Sequence, residues 1–187
     1  MAQLFSLGSM TTLFPLSEVP KVAARYSYPA EPSVIALVPV VRRQGYLTQD
    51  QLFTLCRWKS QRSAGRVRNN AASFVVEVTR FALSATDERA RIEPLTLLDG
   101  VEYPTASCIL HWFHTDPYPI VDFRAIWSLQ LSQPSSYSFD FWQSYYQGWR
   151  ELLLQAQGCC APTVVTPRMF DHALWQYSYE HQPTNGA

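Results

Sequence analysis

The chain has 187 residues, of which 47% are hydrophobic and 16% charged, enough to build a core and too few charges for a disordered segment. Lys+Arg and Asp+Glu both number 15, so the chain is a poor generic binder of nucleic acid, and any such binding requires the cations to gather on one face. No apolar run approaches the length of a membrane span, and no Lys or Arg precedes Lys21, so neither a span nor a secretory signal is expected and the protein reads as cytoplasmic.

Residues 1–31 read as loop, with Pro15, Pro20 and Pro29. Apolar residues cluster from Val34 to Val41, and Gly45 is a helix stop. Thr48 opens the next helix with a capping box completed by Gln51, and Leu52, Leu55 and Cys56 face inward. Ala71, Phe74, Val75, Val78 and Ala82 recur at helical spacing. Thr86 is the expected cap of a short helix running to about Leu98. Pro104 suits the first turn of a helix whose apolar face is Ala106, Ile109, Leu110 and Phe113. Asp116 to Pro119 is a turn, and Asp122 starts another short helix with Phe123, Ile126 and Trp127 as its apolar positions. The longest stripe is Trp142, Tyr145, Tyr146, Trp149, Leu152, Leu153 and Ala156, with Gly158 as its stop. Thr166-Pro167 opens the last helix, with Phe170, Ala173, Leu174 and Tyr177 inward. Strand patterns are weak throughout, so the expected class is all-α.

Cys56, Cys108, Cys159 and Cys160 contain no Cys-x-x-Cys pair and read as buried free thiols. His111 and His114 lack a third ligand, so no metal site and no cofactor are expected. The stretch from Gln51 to Val76 holds Arg57, Lys59, Arg62, Arg66 and Arg68. Such a run is either a solvated basic face or a phosphate-contacting wall. Trp58 and Asn69, with the adjacent Asn70, are candidates for stacking and amide contacts to a nucleic-acid base, as are Tyr118 and Arg124; Tyr26, Tyr28 and Trp175 are candidate cleft aromatics.

The most informative stretch is LLDGVEYPTASCILHWFHTDPYPIVDFRAIWSL, residues 97–129. A helix ends before Gly100-Val101, a second begins at Pro104-Thr105-Ala106, and a third opens at Asp122. This arrangement resembles the helix-hairpin-helix DNA glycosylases, which carry a Leu-Pro-Gly-Val-Gly hairpin, a helix starting near Thr-Ala and an aspartate at the mouth of the next helix. The resemblance implies a two-lobed fold, with a central helical lobe over 46–121 including the hairpin at 97–114, and a second lobe from 1–45 with 122–187. It implies that the hairpin amides around Gly100, Val101, Glu102, Tyr103 and Thr105 grip a DNA phosphate. It implies that Asp122 stabilises the positive sugar formed as the glycosidic bond breaks. A duplex with an extruded nucleotide is the implied partner, and the protein is expected to act as a monomer.

Two departures shape the expectation. Glu102 stands where the family has its second hairpin glycine, placing a negative charge beside the phosphate site. Pro104, 18 residues before Asp122, occupies the position of the lyase lysine and has no amine for a Schiff base. The expected enzyme is therefore monofunctional and leaves an abasic site. Alkylated purines, deaminated bases and the glucosylated hydroxymethylcytosine of phage DNA all remain candidate substrates, the last with an antiviral role. Two other readings stay open: a non-catalytic DNA-binding module in which Asp122 only caps its helix, and a helical protein-interaction domain.

Overall fold

The structure is a computed structural model that describes residues 10–28 and 31–183. Among these residues every regular element is helical and no strand forms, so the chain is all-α. It divides into two compact units, Tyr28–Tyr118 and Met1–Ser27 with Pro119–Ala187. The loop proline expected at Pro29 lies outside the described residues.

The split unit begins with α1 (Val19–Ala23). The central unit follows with α2 (Glu31–Ile35), α3 (Val38–Gln44), α4 (Gln49–Lys59), α5 (Gln61–Ala64), α6 (Ala72–Ser84), α7 (Glu88–Ile92) and α8 (Tyr103–Phe113). The chain then returns to the split unit through α9 (Phe123–Ser128), α10 (Phe139–Cys159) and α11 (Pro167–His181).

In the central unit, α3 stops where Gly45 turns left-handed at φ +76°. Thr48 and Gln51 form the expected reciprocal capping box at the start of α4. The inward residues of α4 are Leu52, Leu55, Cys56 and also Trp58. Packing of α2 against α4 and of α3 against α8 draws residues 31–44 into the central unit, whereas the resemblance implied that they belong to the other lobe. Their short apolar faces, with Val34 and Val41 wholly buried, find cover there.

Several local expectations change. Asp87, not Thr86, caps α7: its carboxylate accepts the amides of Arg89 at 3.0 Å and Ala90 at 3.1 Å. The helix then tightens into a 3-10 segment, Glu93–Leu97. On α6, Val75, Val78 and Ala82 are buried, but Phe74 is 38% exposed. The helix α8 does not present one apolar face: it is buried from Thr105 through Leu110 and again at Trp112 and Phe113. It packs against α3, α4, α7 and the 3-10 segment Glu93–Leu97.

In the split unit, Ser138 caps α10 by accepting the amide of Phe141 at 3.2 Å. All seven residues of the expected stripe are buried, together with Phe141. Gly158 does not end the helix, which runs on to Cys159 without a left-handed residue. Thr166 caps α11, and Phe170, Ala173 and Leu174 enter the core, while Tyr177 is only part-buried. The helix α11 packs on α1 and on α9, so it forms the spine of this unit. In the loop before α9, the Ile120 carbonyl accepts the Tyr145 hydroxyl at 3.1 Å, which ties down the stretch of chain that leads into Asp122.

Candidate nucleic-acid interface and the Asp122 face

The hairpin in the central unit is built on Gly100. The Leu98 carbonyl accepts the Val101 amide at 3.0 Å, closing a tight turn, and Gly100 sits at φ +83°, where a side chain is disfavoured. Space also favours glycine: a Cβ at this position would meet Arg66 Cβ at 3.0 Å, the Ser63 carbonyl oxygen at 3.1 Å and the Val67 nitrogen at 3.2 Å. The turn therefore lies directly on the 3-10 segment Gly65–Asn69, which carries Arg66 and Arg68. Asn70 joins the two. Its side chain donates to the carbonyls of Val67 at 3.0 Å and Asp99 at 3.1 Å and accepts the Asp99 amide at 2.9 Å.

Helix α8 starts just beyond. The Glu102 carbonyl accepts the amides of Thr105 and Ala106, both at 2.8 Å, while its side chain makes no cap bond and stays exposed. The amides of Gly100 and Glu102 have no hydrogen-bond partner among the described residues. Two backbone donors beside a helix start thus remain available to an anion. The side chains of Val101 and Thr105, by contrast, are buried at 2% and 7% exposure, so they support the turn rather than touch a ligand. The Tyr103 hydroxyl lies 3.4 Å from Glu93.

The cations of the basic stretch are not equivalent. Arg57, Arg62 and Arg66 are exposed and pair with no carboxylate among the described residues. Arg68 is held by Asp50, with its guanidinium 4.3 Å over the Phe53 ring. Lys59 is part-buried. Phe53, Arg57, Gln61, Ala64 and Gly65 line an open depression of about 440 Å³.

The candidate base-contact residues of this unit separate. Asn69 is exposed at the end of the basic segment. Trp58 is 7% exposed and packs edge-on against Trp112 at 5.7 Å and Tyr28 at 6.4 Å. Tyr118 is completely buried; its hydroxyl donates to Glu88 at 2.9 Å and accepts from Arg91 at 2.5 Å. Arg91 also pairs with Glu88 at 2.9 Å and Asp116 at 3.1 Å. His111 and His114 belong to the same corner: His111 Nδ1 contacts the Tyr118 carbonyl at 2.6 Å, and His114 Nδ1 accepts the Asp116 amide at 2.9 Å. Burial, with Arg91 and Arg42 nearby, holds His114 below the usual histidine range against the pull of Asp116. Trp58 and Tyr118 are thus core residues, a correction to their expected place beside an extruded base.

Asp122 is part of the split unit. It sits in extended conformation before α9, and its Oδ1 accepts the Arg124 amide at 2.9 Å. It is half-buried. Arg124 does not form an ion pair with it. The Arg124 guanidinium instead lies 5.0 Å from the centre of the Phe123 ring, 5.2 Å from Trp175 and 5.3 Å from Tyr179. Phe123 is 52% and Tyr179 61% exposed. Further along α11, His172 stacks on Tyr26 at 3.8 Å, and the Arg168 guanidinium lies 5.6 Å over Tyr26 while pairing with Asp171. Burial raises the Tyr145 phenol well above its ordinary value, and Asp171 and Asp122 reinforce the shift. Both carboxylates therefore project their charge on one buried phenol.

Asp171, His172 and Tyr179 do not stand out in the sequence as site residues, and Tyr145 stands out only as core. The helical spacing of Arg168, His172, Trp175 and Tyr179 is the signal that could have grouped them. Cys56 and Cys108 are buried, and burial pushes the Cys56 thiol up to about 12. Cys159 is exposed and Cys160 part-buried, so the expectation of four buried thiols holds for two. Among the described residues no cluster of three metal-ligating side chains occurs and no helix is long and apolar enough to cross a membrane.

In comparisons with known proteins, no family model, no curated protein and no solved structure matches the chain.

Proposed function

We propose that the chain binds DNA through the Gly100 hairpin and its arginine-bearing neighbour, and hydrolyses the N-glycosidic bond of a damaged or modified base with Asp122 as the catalytic carboxylate. The observation that carries the reading is the contact of Gly100 with the Arg66 segment. Two unpartnered backbone amides and three unpaired arginines then belong to one unit of a chain with no net charge. Backbone amides fix a phosphate in place, and the arginines add the long-range attraction that the net charge cannot provide.

The chemistry assigned to Asp122 follows from its place at a helix start. One oxygen is oriented by the Arg124 amide. An oriented carboxylate stabilises positive charge developing on a deoxyribose. In the hydrolysis the oxygen of one water bonds to the anomeric carbon, and the electron pair of the carbon–nitrogen bond leaves with the base. The water proton passes to the departing base or to solvent. Pro104 at the start of α8 supplies no amine, so the product is an abasic site and not a cleaved strand. The glucosylated hydroxymethylcytosine of phage DNA belongs in the substrate panel beside uracil and alkylated bases.

A second reading, the non-catalytic DNA-binding module, draws support from the same hydrogen bond, because capping alone accounts for an aspartate at this position. An abasic-site assay separates the two. Wild type and Asp122→Asn are incubated with DNA carrying each modification and then treated with mild alkali. Alkali-dependent breaks with wild type alone, on one substrate, are expected. Salt-sensitive DNA binding without breaks on any substrate supports the module, and absence of salt-sensitive binding removes both readings.

A further inference from the structure

The face that α11 shares with α9 has a chemistry that duplex binding does not use. Arg168, His172, Trp175 and Tyr179 recur at spacings of four, three and four residues, which places them along one side of the helix. The row is about 16 Å long at ~1.5 Å per residue, the reach of a few nucleotides. Beside it, Arg124 pairs with no carboxylate among the described residues; its guanidinium is held 5.0–5.3 Å from three ring centres. Trp175 and Tyr179 are stacked nearly parallel, 12° apart at 5.1 Å. The outermost rings, Tyr179 and Phe123, are the most exposed at 61% and 52%.

We propose that this face binds single-stranded DNA by stacking unpaired bases on Tyr179 and Phe123 while Arg124 meets the phosphate. Any base has a flat face that extends a stack of aromatic rings, and a guanidinium already fixed among rings gives up little freedom on meeting an anion. In a duplex the base faces are covered by their neighbours, and only edges and phosphates are offered. The face therefore selects for strandedness and not for sequence. The face begins at Phe123, the residue that follows Asp122 in the chain. Stacking, rather than charge, supplies its affinity: this unit carries Arg124, Arg168, Arg150, Arg25 and Lys21 against six acids, Glu18, Asp122, Asp140, Glu151, Asp171 and Glu180. The inference rests on the reading of the chain as a DNA-acting protein, but it concerns binding alone.

The test measures fluorescence anisotropy of three labelled probes of equal length with the full chain: oligothymidine, the matching duplex, and a strand of abasic residues. Oligothymidine is expected to bind more tightly than the abasic strand. Tyr179→Ala should weaken oligothymidine by about 5- to 150-fold, the range for one stacked base, and leave the duplex unchanged. Tyr179→Phe, which keeps the ring, should bind as wild type does. Equal affinity for the abasic strand, no loss in Tyr179→Ala, or no oligothymidine binding at all would overturn the proposal. Ring-dependent binding without base release on any substrate would keep this inference and remove the glycosylase reading.

Discussion

Replacing Gly100 with alanine tests the hairpin most directly, because two separate penalties arise at that position. A left-handed backbone costs a residue with a Cβ about 1–2 kcal/mol. The new methyl would also press on Arg66 Cβ at 3.0 Å and on two backbone atoms of the neighbouring segment, the Ser63 oxygen at 3.1 Å and the Val67 nitrogen at 3.2 Å. Backbone atoms cannot swing aside as a side chain end can, so overpacking adds about 1–3 kcal/mol. Gly45 is the control: it lies in the same unit at φ +76°, and a methyl added there would meet nothing within 4 Å. Gly45→Ala should therefore show the backbone penalty alone. With a urea dependence of about 1–3 kcal/mol per molar, the two variants should differ in unfolding midpoint by roughly 1 M, with Gly100→Ala the weaker. Tryptophan fluorescence follows the transition, since Trp58 and Trp112 are both buried in this unit. Equal midpoint shifts in the two variants would refute the claim that the turn is seated against the arginine segment.

At Asp122, Asn preserves an acceptor for the Arg124 amide and should leave stability nearly unchanged, whereas Ala should cost about 1 kcal/mol in thermal or chemical unfolding. Arg66→Ala should lower duplex affinity to a similar degree on every sequence and reduce the slope of log affinity against log salt by about 1. Tyr118→Phe removes the hydroxyl between Glu88 and Arg91 in a fully buried site and should destabilise the central unit by about 1–3 kcal/mol in urea. The pH dependence follows from His114, which burial holds below the usual histidine range in the folded chain. The unfolded chain then binds the proton more readily, so this contribution to stability is full above about pH 6.5 and falls as the solution is acidified below it. His114→Gln should flatten that part of the stability profile, and an unchanged slope would remove His114 as its source.

The legibility of the fold varies with how local its cause is. The Thr48–Gln51 capping box, the Gly45 stop, the Thr166 cap and the α10 stripe depend on residues within a turn or two of one another, and all are found where the pattern places them. Thr86 and Asp87 are both good caps, and adjacent candidates cannot be ranked from residue type; the hydrogen bonds to Arg89 and Ala90 select Asp87. Gly158 has the composition of a stop because glycine favours helix ends, yet nothing there requires a left-handed residue and the helix continues. The short helices of 31–44 have little periodicity, and their packing on α4 and α8 is what shows where they belong.

The candidate site divides in the same way. Local chemistry is enough to establish the all-α class, the turn at Gly100, the helix start at Asp122 and the existence of a cationic run. These follow from backbone preferences and from atoms a side chain has or lacks. Packing in space is needed to learn that Arg66 lies against the hairpin, that Arg68 is taken up by Asp50, that Trp58 and Tyr118 are core, and that Arg124 turns to Trp175 and Tyr179. An aromatic or an arginine suits a core, an ion pair or a binding face equally well by residue type. Which of these it serves depends on neighbours that the fold brings close: Arg124 and Trp175 stand on different elements, and the packing of α9 on α11 sets the guanidinium 5.2 Å from the ring.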